Sequence, residues 1–130
     1  MHRYGTAELI GREYTDEVCI LFGYCVKDFP FFYIEEQEGL REPIDGILGL
    51  AREYPFILAP EEETKTGVNY IKALAEADII PANEFAFYFN PPEWLSWIDL
   101  GPAQEKHFRN DTTVMELQMN EEDFFWSGYC

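Results

Sequence analysis

Positive charge is what this sequence has least of. Lys and Arg number 9 against 25 Asp and Glu, giving a formal net charge of −16 and a pI of about 4.2. Binding nucleic acid means neutralising phosphates with cations, and 9 scattered ones form no patch, so nucleic acid is not expected as a partner. An anionic membrane surface is disfavoured for the same reason. Long apolar runs are missing too: none approaches the ~20 residues that a bilayer-spanning helix needs, so no membrane partner is expected. Serine is scarce, and Ser127-Gly128 lacks a Gly-x-Ser-x-Gly frame, which leaves a serine nucleophile unsupported. His2 and His107 stand far apart with no Cys or His at ligand spacing, so neither a zinc site nor any other cofactor is expected. Residues 1–6 have no apolar core and do not read as a signal peptide.

What is present is apolar and aromatic. The residues AVILMFWYC make up 47% of the chain and aromatics alone 17%, which is enough to bury a core and argues against intrinsic disorder despite the charge. The acidic groups 35–36, 61–63 and 121–123 lack the alternating ligand spacing of a calcium loop and read as solvated faces. Near roughly pH 4 to 5 many of these carboxylates are partly protonated, and at neutral pH they repel one another. Acid conditions should therefore suit the fold. Cys19 and Cys25 are placed to close a short loop between two apolar strands as a disulfide, which leaves Cys130 over. With the sequon at Asn110, a site for N-glycosylation, this points modestly to an oxidising compartment.

Periodicity predicts a mainly β chain with one short helix. Residues 4–10 and 13–22 read as strands with Gly11 as a turn or bulge between them, and 28–34 as a strand that Pro30 places near an edge. Residues 35–43 read as a loop. Residues 44–51 (IDGILGLA) read as a short buried strand in which Gly46 and Gly49 allow close backbone approach, and 52–66 as a solvated loop. Val68, Ile71, Leu74 and Ala75 follow helical spacing, with Thr66 as N-cap and Pro81 past the end. Strands are expected at 83–89, 95–100, 113–119 and 123–129, and Trp94, Trp97 and Trp126 read as core or cleft-wall aromatics.

Several strings stand in a telling order. Tyr4-Gly5-Thr6 comes first, then Gly11 and Tyr14-Thr15-Asp16-Glu17-Val18. Ile44-Asp45-Gly46-Ile47-Leu48-Gly49-Leu50-Ala51 follows, then the helical segment, Phe85-Ala86-Phe87-Tyr88-Phe89, Leu100-Gly101-Pro102 and Phe124-Phe125-Trp126. This ordered set resembles the pepsin-like aspartic endopeptidases across nearly the whole chain. Ile44 stands where that family has Phe, Pro102 where it has Gly, and residues 15–43 diverge.

The resemblance implies part of the N-terminal lobe of a bilobal, mainly β acid protease. Residues 1–130 would hold the flap, the lobe's barrel strands and the start of the interlobe sheet. Tyr4, Gly5 and Thr6 would form the flap tip, with the Tyr4 hydroxyl covering a bound peptide and the backbone of Gly5 and Thr6 touching it. Ile44 and Ile47 would line the S1 side of the cleft, although core packing explains Ile47 equally well, and Asp45 would cap backbone in a tight turn. The family's chemistry is general acid/base hydrolysis by two Asp residues that share a proton. Each comes from an Asp-Thr-Gly or Asp-Ser-Gly turn, and neither string occurs here. The resemblance thus implies an aspartic endopeptidase active only as part of a longer chain, with peptide or protein substrates and the rest of the bilobal protease as partners. Its location would be lysosomal, vacuolar or secreted. The alternative is a non-catalytic peptide-binding or interaction protein derived from the same fold, taking extended peptide by strand addition. A half-lobe ending at Met1 and Cys130 would expose edge strands and aromatics, and is expected to aggregate or stay partly unfolded by itself.

Overall fold

The computed structural model describes residues 2–4, 6–40, 44–52, 68–89, 96–108, 115–120 and 126–128, with backbone only for 2–4 and 107. The chain forms two compact units, residues 1–49 with 55–68 and residues 50–54 with 69–130.

The first unit is built on β1 (His2–Tyr4), β2 (Ala7–Leu21) and β3 (Tyr24–Glu38), an antiparallel sheet in the order β1-β2-β3. Tyr4 pairs with Ala7, so the expected single strand over 4–10 is two strands closed by a two-residue turn. β3 is an edge strand of this sheet, where a Pro without an N–H is tolerated: Pro30, opposite Thr15, lies at the expected edge. Its extent was underread, because residues 35–38 belong to β3 and not to a loop. Their polar side chains face solvent, while their backbone pairs with Glu8, Leu9 and Ile10. Polarity here reports exposure, not absence of a ladder.

The register slips at Gly11, as expected of a bulge: Ile10 faces Glu36 and Gly11 faces Ile34, which leaves Glu35 as the extra residue. Glu35 meets Arg12 Nη2 at 2.8 Å, an exposed pair that contributes little. Tyr14 packs across the ladder on Phe31 and edge-on against Tyr33, with ring centroids 6.4 and 5.6 Å apart. Ala7, Leu9, Val26 and Phe29 are the buried apolar residues of this unit.

The far end of the hairpin turns at Phe22-Gly23, where Gly23 takes φ +87°. Cys19 and Cys25 face each other in the ladder and are joined by a disulfide, as the spacing predicts. A closed loop this short restricts the unfolded chain by about 2 kcal/mol. Replacing both by Ser should lower the stability of the unit by that amount, read as faster amide exchange over residues 18–26. Unchanged exchange would show that the ladder alone holds this end.

The second unit centres on α1 (Tyr70–Glu76). The helix starts later than its spacing predicts: Asn69, with extended backbone, is the N-cap, and its side chain accepts from Lys72 N–H at 3.1 Å. Val68 therefore lies outside the helix and is exposed, and Thr66 lies outside the described residues. Ile71 and Leu74 are buried as expected, joined by Tyr70. Pro81 follows the helix, and β4 (Phe85–Tyr88) pairs antiparallel with β5 (Trp97–Leu100), both shorter than predicted. A 3₁₀ turn, Glu105–His107, comes after β5.

Other expectations are corrected. Residues 44–51 join no strand ladder and are mostly exposed, and a Cβ at Gly46 or Gly49 would meet nothing within 4 Å, so these are not glycines of a buried strand. An apolar run fits a buried strand or an uncovered segment equally well until its partners are known. Residues 115–118 form no ladder; Met119 bridges Gly128, and Asn120 N–H donates to Ser127 O at 2.9 Å. Of the two alternatives for the tryptophans, core packing is excluded for Trp97 and Trp126, which are exposed, and Trp94 lies outside the described residues.

Candidate functional site

The turn between β1 and β2 is the first place to look. Two antiparallel strands hold it, with pairs His2–Leu9, Arg3–Glu8 and Tyr4–Ala7, and Ala7 and Leu9 anchor its return leg by burial. Tyr4 ends β1, Thr6 is exposed in the turn, and Gly5 lies outside the described residues, as does the Tyr4 side chain.

Ile44 and Ile47 lie in the same unit, in extended chain without a ladder, and are 51% and 42% exposed. This exposure argues against core packing for both residues. Asp45, between them, is also exposed. The ladder of the first unit places Thr6 but does not reach Ile44 or Ile47, so no pairing brings the two groups together. Asn110 lies outside the described residues.

The second unit contains a cavity of about 810 Å³ lined by none of the predicted substrate-binding residues, although Trp126, expected as a core or cleft-wall aromatic, is one of its walls. Arg52, Asn69, Ile71, Phe85, Phe87 and Trp126 line most of it. Three of its polar side chains are engaged by the fold, and Asn83 and Glu84 also line it. Arg52 Nη1 donates to Asn120 O at 2.6 Å, Asn69 Nδ2 to Ala51 O at 2.8 Å, and Trp126 Nε1 to Leu50 O at 2.7 Å. Phe85 sits edge-on to Trp126 and to Phe87, both with centroids at 5.7 Å. Among its described lining residues the cavity offers aromatic surface and no hydroxyl or thiol nucleophile. Arg52 was expected in a solvated loop, and nothing in its local sequence signals a contact 68 residues away. Asn69 was legible: an Asn just before a helical apolar pattern is a capping residue.

Asp99 on β5 is the buried carboxylate, accepting from Gln104 N–H at 3.2 Å and from Gln104 Nε2 at 3.1 Å. Those bonds stabilise the turn after β5. A single carboxylate held in this way is not the proton-sharing pair that peptide hydrolysis needs. Among the described residues no group of three or more His, Cys, Asp or Glu is placed to hold a metal ion, and no helix is long and apolar enough to cross a membrane.

Comparison with known proteins adds one finding. A family model described as eukaryotic aspartyl protease matches residues 1–128. No curated protein matches the chain, and no solved structure does.

Proposed function

Because this chain belongs to the eukaryotic aspartyl protease family, we propose that it serves peptide-bond hydrolysis as one part of a longer, bilobal chain. In that reading the β1–β2 turn is the flap. The Tyr4 hydroxyl covers the bound peptide, the backbone of Gly5 and Thr6 hydrogen-bonds to it, and Ile44 and Ile47 form part of the apolar wall beside the scissile bond. Closing the flap excludes water and fixes the orientation of that bond. Two Asp residues outside this sequence share one proton. One carboxylate takes a proton from water as it attacks the carbonyl carbon, while the other carboxyl donates to the carbonyl oxygen. Collapse of the resulting diol breaks the C–N bond, and the leaving amine takes up a proton.

The observation that supports this reading is the turn between paired Tyr4 and Ala7, within the stretch of residues 1–128 that the family model matches. The Cys19–Cys25 disulfide fits the secreted or vesicular setting expected of such an enzyme.

The test starts with sequencing of the full-length transcript across both ends of this segment. Two in-frame Asp-Thr/Ser-Gly turns, followed by acid-pH cleavage of a peptide that pepstatin blocks, are the expected results. A message confined to residues 1–130 would overturn hydrolysis and leave non-catalytic peptide binding as the alternative.

A further inference from the structure

The turn at residues 5 and 6 is supported from two sides. β1 pairs with Ala7, Glu8 and Leu9 on one side, and on the other Glu38 and Gln37 of β3 pair with Glu8 and Leu9. One residue beyond, β3 ends and Gly39 takes φ +90°. Gln37 Oε1 accepts from Leu40 N–H at 3.1 Å and holds the bend. The left-handed conformation alone is open to Asn or Asp as well as Gly. What distinguishes Gly39 is its neighbour. A Cβ at this position would stand 3.2 Å from Cα of Ala7 and 3.3 Å from the Thr6 carbonyl oxygen. Gly23, at the other end of the hairpin, has nearly the same φ, +87°, and nothing within 4 Å of where its Cβ would be. The two glycines share the conformational demand, and only Gly39 lies against the turn.

We infer that Gly39 is a positioning residue for the β1–β2 turn. Lacking a side chain, it lets the backbone that leaves β3 lie against Thr6 and Ala7, and it sets where the Thr6 carbonyl stands when a peptide arrives. A methyl group here meets backbone on both counts, so the turn and not a flexible side chain must yield. Displacements of a fraction of an ångström matter where a site works by preorganised contact. The inference rests on the reading of this turn as a flap, and it adds a control point outside the ligand-contacting residues.

The test compares three variants of the full-length protein. Gly39→Ala carries both the conformational strain and the contact. Gly39→Asn tolerates the left-handed backbone and keeps the contact, so it answers the question if G39A fails to fold. Gly23→Ala carries strain alone. Amide exchange at residues 7–9 should speed up by about tenfold in G39A and G39N and stay at the wild-type rate in G23A. KM for a cleaved peptide should rise roughly fivefold in the two Gly39 variants with kcat little changed, because a displaced flap loses binding before chemistry. Equal exchange at residues 7–9 in the Gly39 and Gly23 variants would overturn the inference, and so would faster exchange with an unaltered KM. A wild-type protein without peptidase activity would sink the flap reading, and the exchange comparison would then decide the role of Gly39 in placing the turn.

Discussion

Gly11→Ala is expected to break the long hairpin of the first unit, lowering its stability by roughly 3 kcal/mol or more. A Cβ on residue 11 would stand 1.9 Å from the Tyr33 carbonyl oxygen, 2.9 Å from its carbon and 3.1 Å from Cα of Ile34. All three atoms are backbone of the paired strand, so no rotamer change relieves the clash. β2 and β3 would have to part by more than an ångström at the bulge, weakening the ladder bonds on either side, each worth about 1 kcal/mol. Against this, an added methyl gains at most ~0.8 kcal/mol by burial, and the stiffer unfolded chain contributes ~0.4–1 kcal/mol. The clash wins. Amide exchange over residues 7–38 of the full-length protein reads the effect, with G23A as the comparison, since left-handed strain alone costs about 1–2 kcal/mol. A G11A protein whose exchange in this segment matches wild type would show that the bulge rearranges freely, and the account given of Gly11 would fall.

The bulge at Gly11 was legible in the sequence because a lone glycine between two β-prone runs has few other uses. The reason it must be glycine was not: that lies in Tyr33, on a different strand. The same divide runs through the rest of the fold. The disulfide, the edge position of Pro30, the buried Ile71 and Leu74, and the existence of strands β4 and β5 all follow from spacing within a few residues of one another; that β4 and β5 pair does not. The ladder over residues 35–38 did not show, because a solvent-facing edge strand tolerates Glu and Gln as a loop does. Nor did the exposure of residues 44–51, since an apolar run declares only that it prefers cover and not whether cover exists.

For the candidate site the motif order carried more than the chemistry. Tyr4-Gly5-Thr6 has no catalytic signature in itself, and only its position ahead of Gly11, Asp16-Glu17-Val18 and Asp45-Gly46 makes it resemble a flap tip. Periodicity reads residues 4–10 as one strand, whereas the pairing of Tyr4 with Ala7 divides them and gives the turn a first strand, His2–Tyr4. Gly39 was passed over because it sits in a polar stretch, and its role depends on closeness to Thr6 and Ala7, which are 33 and 32 residues earlier in the sequence.

Leu74→Ala is the matching prediction for the second unit, with an expected loss of about 2–5 kcal/mol. Leu74 is 0% exposed on a helix of only 7 residues, too short to persist without its packing. It does more than fill space: its carbonyl accepts from Ile79 N–H at 2.9 Å and from Ile80 N–H at 3.4 Å, which turns the chain back after the helix toward Pro81 and β4. Tyr70, Ile71 and Ile80 are the other buried apolar residues described in this unit. Two controls separate packing from chemistry. Leu74→Met keeps the volume and should lose less than ~1.5 kcal/mol, while exposed Val68→Ala, one residue before the N-cap, should move stability by no more than ~0.5 kcal/mol. Amide exchange over residues 70–80 measures all three. If L74A proves no worse than V68A, the helix is held by its Asn69 cap and by the hydrogen bonds of the following turn instead, and the core of this unit must be sought elsewhere.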